Sequence, residues 1–207
     1  MLEITNAVKV FAPSTPNEMK ALNGLNLKLE DGEFVTIIGS NGAGKSTLFN
    51  AICGNFWLDS GMILLDGENI TFKSEHKRAK VIGRIFQDPM KGTAPNLTIE
   101  ENLALAARRG KRRTLMNGIS KKEKEHYREL VKMLDLGLED RLTAKVGLLS
   151  GGQRQAITLL MATMNHPKIL LLDEHTAALD PKTAEIIMEL TDQVVKEKKV
   201  TTIMVTH

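Results

Sequence analysis

Lys45 and Ser46 close a glycine-rich run, Gly39-Ser40-Asn41-Gly42-Ala43-Gly44-Lys45-Ser46-Thr47. The spacing fits G-x-x-x-x-G-K-[ST], a loop that binds phosphate. Glycine lets the backbone reach φ > 0 and come close to an anion. Successive N–H groups and a helix N-terminus then surround the phosphate oxygens with partial positive charge. In that setting Lys45 reaches the β- and γ-phosphates of a nucleotide, and the Ser46 hydroxyl ligates Mg²⁺. The alternative is a chance glycine turn. The four fixed positions coincide by chance in roughly one chain in a hundred of this size. The flanks argue against chance: Phe34, Val35, Ile37 and Ile38 predict a buried parallel strand, and Thr47 to Cys53 predicts a helix stopped by Gly54.

Two carboxylates come next. Ile169-Leu170-Leu171-Leu172 predicts a buried strand that ends in Asp173-Glu174. A charge closing such a strand is costly. Beside a phosphate loop, Asp173 is placed to hold Mg²⁺, usually through water. In an extended chain the next side chain, Glu174, points elsewhere. It is suited to orient and polarise the water that attacks the γ-phosphorus. A second phosphate-type stretch is Leu149-Ser150-Gly151-Gly152-Gln153. Its glycines free the backbone, and a helix expected from about Arg154 supplies another anion-binding N-terminus. The γ-phosphate of one nucleotide is already held by the first loop, so this stretch is expected to serve another subunit's nucleotide. The plain alternative is a turn with an N-cap serine.

The elements that carry these residues read as α/β. Leu2 to Phe11 is strand-like, and residues 12–17 form a Pro/Ser/Thr loop. Leu25, Leu27 and Leu29 alternate with polar residues as a half-buried strand, and Asp31-Gly32 predicts a hairpin turn into the strand at Phe34. Ser60-Gly61 and Asp66-Gly67 mark turns around Met62 to Leu65, and Val81 to Phe86 is a further strand. Thr98 and Glu101 form a capping-box pattern, and Tyr127, Leu130, Val131 and Leu134 mark an amphipathic helix. Asp180-Pro181 opens a helix with one face of Ala184, Ile187, Met188, Val194 and Val195, before a last strand from Val200 to Val205. Strands alternating with helices imply a mainly parallel sheet with ligands at its C-terminal ends.

Composition bounds the rest. The 207 residues can bury one substantial core with an inserted subdomain. A net charge of +3 is too small to argue for nucleic acid. The basic stretch Arg108, Arg109, Lys111, Arg112, Arg113, Lys121, Lys122 and Lys124 reads as a solvated face, against a sharper reading as a surface for anionic lipid or nucleic acid. It lacks the interleaved aromatics of base stacking, and no nucleic-acid partner is expected. The single cysteine, Cys53, excludes an internal disulfide and reads as a small buried hydrophobe. With no apolar run near ~18 residues and no signal-peptide pattern, the chain is expected in the cytoplasm, docked on a membrane protein.

The phosphate loop, Leu149 to Gln153, Ile169 to Glu174, Ala178-Leu179-Asp180 and His207 stand in the order and spacing of the ATP-binding cassette (ABC) ATPases, which the whole chain resembles. The five-residue signature arises by chance in on the order of one chain in several thousand. The resemblance implies a P-loop NTPase core with an N-terminal antiparallel β layer (residues 1–87 and 159–207) and an α-helical signature subdomain (residues 88–158). It implies ATP and Mg²⁺, with Phe11 stacked on adenine and residues 39–47 around the phosphates. Ser46, Gln87 and Asp173 are then the metal side. Glu174 is the catalytic carboxylate, with Lys45, Gln87 and His207 the other catalytic groups and His207 the switch histidine. Ser150, Gly151, Gly152, Gln153 and Asp180 face a second copy's nucleotide in a head-to-tail dimer. The similarity is greatest to importer subunits, so separate permease subunits and an extracytoplasmic solute-binding protein are implied partners, with amino acids a possible solute class. An exporter ATPase, or an ABC protein acting on nucleic acid or ribosomes, is the competing reading. His175 stands where the family commonly has proline; of two readings, a perturbed catalytic carboxylate or a side chain in solvent, the second is expected. The family also implies further strands and a helix after His207.

Overall fold

The computed structural model describes residues 1–111 and 118–206. Arg112 and Arg113 of the basic stretch, and His207, lie outside the described residues.

Two four-stranded sheets form the frame. In the first, β1 (Leu2–Phe11) pairs antiparallel with β2 (Met19–Leu29), from Leu2 opposite Leu29 to Phe11 opposite Met19. The other edge of β1 pairs with β4 (Ser60–Leu65), which turns through Asp66-Gly67 into β5 (Glu68–Asn69). The second sheet is parallel: β3 (Phe34–Ile38), β8 (Thr201–Thr206), β7 (Ile169–Asp173) and β6 (Ile82–Ile85), in that spatial order.

The expected hairpin at Asp31-Gly32 does not form, because β2 and β3 belong to different sheets. A turn is present, with Gly32 at φ 79. Its backbone bonds to β8 instead: Gly32 N–H donates to Thr201 Oγ1 (2.9 Å), and Glu33 C=O accepts from Thr202 N–H (2.8 Å). The turn therefore hands the chain from one sheet to the other. β3 is also less buried than its apolar run suggests. Among the described residues its one strand neighbour is β8, and Ile38 is 74% exposed. An apolar run does not distinguish a central strand from an edge.

β7 lies inside the parallel sheet, and side chains alternate across its faces. Ile169 and Leu171 join a core with the antiparallel layer and Phe49 and Ile52 of α1 (Lys45–Cys53). Leu170 and Leu172 join a second core. That core also holds residues of α3 (Ile99–Ala107), α4 (Lys121–Lys132), α5 (Gly151–Thr163) and α6 (Pro181–Lys198). Cover on both faces is why this strand reads as an unbroken apolar run. A short α2 (Glu75–Arg78) carries Arg78, which is fully buried. Its guanidinium donates to the carbonyls of Ala51 (2.7 Å) and Ile52 (2.9 Å), closing the C-terminus of α1 where a cation is favoured.

Capping places the helices. Thr98 with Glu101, Ser120 with Glu123, and Ser150 with Gln153 each form a reciprocal capping box. Asp180 caps α6 by accepting from Thr183 N–H (3.1 Å), with Pro181 at the first helical position.

Candidate nucleotide site

The phosphate loop runs from the end of β3 into α1. Gly42 and Gly44 have φ 84 and 86. A Cβ on Gly44 would lie 2.4 Å from the carbonyl oxygen of Ala21, so glycine is required there by both conformation and space. Leu48 N–H donates to Gly44 C=O at 2.8 Å, which leaves the earlier N–H groups of the helix facing the loop. Lys45 is buried and its Nζ donates to the carbonyls of Gly39 and, at 3.3 Å, Ser40. Residues 40–47 line a groove of about 130 Å³ together with Met19 and Ala21 of β2 and Glu174. A larger groove of about 510 Å³, between α3, α4 and residues 139–143, holds none of the residues predicted to carry chemistry.

Glu174 departs from the extended geometry expected of it. β7 ends at Asp173, and Glu174 takes φ 47, a left-handed conformation costly for a non-glycine residue. The chain turns at once: Glu174 N–H donates to Val205 C=O (3.2 Å), and Ala177 N–H to Glu174 C=O (2.9 Å). His175 is a second correction. Its side chain is not in solvent but 2% exposed, with Nε2 3.2 Å from Thr191 Oγ1 on α6. The Thr191 hydroxyl donates to Ile187 C=O (2.7 Å), so His175 Nε2 is the donor between them. Burial pushes the His175 pKa down from 6.5 to about 4. The imidazole is therefore neutral at physiological pH, and its role is that of an anchor.

Asp173 carries a partner that periodicity did not reveal. Arg84, on β6, donates to Asp173 Oδ2 (2.8 Å) and to Asn50 Oδ1 of α1 (2.7 Å). Its guanidinium lies 4.7 Å from the Phe86 ring centroid. The only sequence signal was a charged residue inside a short apolar strand.

The remaining predicted residues lie outside the lining of the 130 Å³ groove. Gln87 is exposed just past the end of β6. Ser150 is the N-cap of α5, which starts at Gly151 and not near Arg154. Gly151 and Gly152 are thus helical. Gly152 is buried, and a Cβ there would meet Thr183 Cγ2 at 2.2 Å, so close packing with α6 demands this glycine. Asp180 is exposed at the start of α6, its carboxyl held below the usual range by the hydrogen bonds from Thr183. Phe11, at the end of β1, meets the edge of Phe56 at 5.4 Å between centroids. Cys53 is half-buried, and burial pushes its thiol pKa up, as befits an inert side chain.

Among the described residues no three His, Cys, Asp or Glu side chains gather to hold a metal by themselves. Mg²⁺ takes one or two protein oxygens and completes its shell with phosphate and water. Ser46, Asp173 and Gln87 offer oxygen donors of this kind.

A glycine loop between the parallel strand β3 and the helix α1, sharing a groove with a carboxylate in the turn after β7, defines a P-loop nucleotide-binding fold. Residues 22–177 match the family described as ABC transporter, and the chain belongs to that family. It is 48% identical over 207 residues to the tyrosine transport ATP-binding protein of Clostridioides difficile (strain R20291), covering 100% of this chain and 82% of the relative. It is 35% identical over 210 residues to an ATP-binding protein of Staphylococcus aureus (strain Newman), HrtA, whose name assigns it provisionally to hemin import; 90% of that relative is covered. Among solved structures, the dimeric post-hydrolysis state of the ATP-binding cassette MJ0796 bound to ADP and Pi has a TM-score of 0.81 at 33% identity, covering 100% of this chain and 88% of that one. The chain is thus an ATP-binding subunit of an ABC transporter and an ATPase. Among its described residues no helix is long and apolar enough to cross a membrane.

Proposed function

We propose that the chain powers solute import through separate permease subunits, as one of two identical ATPase subunits that close head to tail on two ATP molecules. The observation that carries the dimer is the separation of roles: residues 40–47 and Glu174 share one groove, and Ser150 to Gln153 lie outside its lining. In this reading Gly39 to Thr47 hold the phosphates, Lys45 neutralises charge on them, and Phe11 stacks on adenine. Ser150, Gly151, Gly152 and Gln153 present the N-terminus of α5 to the second copy's γ-phosphate, and Asp180 lies near the second copy's phosphate loop. Ser46, Asp173 and Gln87 would hold Mg²⁺, which when bound offsets charge on the phosphate oxygens.

Glu174 acts as the general base. It takes a proton from water as the water oxygen bonds to the γ-phosphorus, the bond to the β,γ-bridging oxygen breaks, and ADP and phosphate are the products. His207 is the hydrogen-bond donor to the γ-phosphate. Loss of that phosphate removes the bridge between copies and reopens the dimer. The helical signature subdomain is proposed as residues 88–158, inserted in a core of residues 1–87 and 159–207. The subunit works at the inner face of the cell membrane through its permease, and an extracytoplasmic binding protein delivers the solute. An amino acid is the proposed solute, supported by the name of the relative that is 48% identical over the whole chain.

Glu174→Gln should bind ATP normally, lose at least about 100-fold in turnover and accumulate as an ATP-bound dimer on a sizing column. Turnover near the parent rate would remove Glu174 from the mechanism. Mild-detergent purification of the native protein should bring down a polytopic membrane subunit and an extracytoplasmic amino-acid-binding protein. Recovery of a polytopic subunit with no binding protein would favour an exporter.

A further inference from the structure

Gln155 lies on α5, two residues beyond Gln153, and is 0% exposed. Its Nε2 donates to the carbonyl of His175 at 2.7 Å and, over a longer 3.4 Å, to the carbonyl of Phe86. His175 directly follows Glu174, and Phe86 directly precedes Gln87. The amide orientation is fixed by chemistry, since two carbonyl oxygens face it and only the NH₂ end can donate. A single side chain of α5 thus holds the backbone beside both Glu174 and Gln87, the residues proposed to act on the attacking water.

The other end of this amide is informative. Gln155 Oε1 is buried and has no hydrogen-bond partner among the described residues. A buried acceptor left unpaired is costly, so what retains an amide here is its NH₂ end, which supplies the His175 carbonyl with a donor. The turn it holds does need support. Glu174 sits at φ 47, and such a conformation persists only where its surroundings over-determine it. Three contacts do so: Glu174 N–H to Val205 C=O on β8, His175 Nε2 to Thr191 Oγ1 on α6, and Gln155 Nε2 to His175 C=O from α5. Only the last comes from the helix that Ser150 caps.

We propose that Gln155 is a positioning residue for hydrolysis. It keeps the Glu174 turn and the start of the Gln87 segment in register with α5, so that a phosphate bound at the Ser150 end of this helix is linked to the aim of the base. This rests on the reading of Glu174 as general base and adds the residue that aims it.

Gln155→Met keeps length and volume and removes both N–H donors along with the orphan oxygen. On the full chain, kcat for ATP should fall about 10- to 100-fold, as small misplacements of reacting groups do. The dissociation constant of a fluorescent ATP analogue should stay within about twofold, and Tm should fall by no more than about 4 °C, because removal of the unpaired oxygen offsets part of the lost donor. In a Glu174→Gln background the same substitution should change the residual hydrolysis by less than about twofold, because residues acting as a unit are not additive. Gln155→Asn, one methylene short of the His175 carbonyl, should show the same pattern and serves if the Met variant does not fold. A kcat within about twofold of the parent overturns the proposal. So does a loss of Tm and ATP affinity in step with kcat, or an equal effect in both backgrounds, since a merely structural residue would give those. If Glu174→Gln alone turns over ATP near the parent rate, the general-base reading fails with it, and that control is read without any change at Gln155.

Discussion

Gly152 and Thr183 meet at a distance that admits no side chain: a Cβ on Gly152 would stand 2.2 Å from Thr183 Cγ2. The same Thr183 gives its N–H to the Asp180 carboxylate. The first turn of α5 and the first turn of α6 are therefore seated on one threonine. Gly152→Ala should cost about 1–3 kcal/mol in urea unfolding, the usual range for overpacking. Adding Thr183→Ser, which removes the offending methyl, should restore most of it. If the double variant is as unstable as Gly152→Ala alone, packing is not the reason for this glycine.

Arg84 and Asp173 are both largely shielded, with side chains 13% and 15% exposed. Removing one member of such a pair leaves a charge without its counterpart. Arg84→Met should lower stability by roughly 3 kcal/mol. Arg84→Lys should recover part of it, because an ammonium cannot span Asn50 and Asp173 as the planar fork does. Equal stability of the parent and Arg84→Met in denaturant titrations would show the pair to be neutral.

His175 makes a prediction about acid. Its pKa is about 4 in the folded chain against 6.5 for an unhindered imidazole. Between those values the unfolded chain binds the proton and the folded chain does not, so stability falls as pH drops. The contribution is whole above about pH 6.5 and fades on the way down to about pH 4. From about pH 7 to about pH 5 the loss should be roughly 2 kcal/mol. His175→Gln, which keeps a donor for Thr191 but does not titrate, should flatten that slope. A slope unchanged in the variant would place the acid sensitivity elsewhere.

Local chemistry was the readable part of this chain. Gly54 ends α1 in a left-handed conformation as its position suggested, and the capping pairs Thr98 with Glu101 and Asp180 with Pro181 open their helices where the residue types placed them. Such signals act within about one helical turn, so a single sequence carries them. Partnerships across long separations were not readable. Nothing near Asp31-Gly32 says that β2 and β3 join different sheets. Arg84 and Asp173 are 89 positions apart, and Gln155 and His175 are 20 apart. A histidine that follows two carboxylates reads equally well as solvated; its burial is decided by Thr191, on a helix whose docking no local pattern reports. The left-handed turn at Glu174 was hidden for the same reason, since it is imposed by three neighbouring elements and not by its own residue type.

Because β7 gives alternate residues to two separate hydrophobic cores, Asp173 and the turn after it are mounted on a beam clamped from above and below. A tilt of the helical layer against the antiparallel layer cannot be absorbed by that beam alone. It bears on Asp173 at the strand end and on Glu174 in the turn together, since one strand supports both.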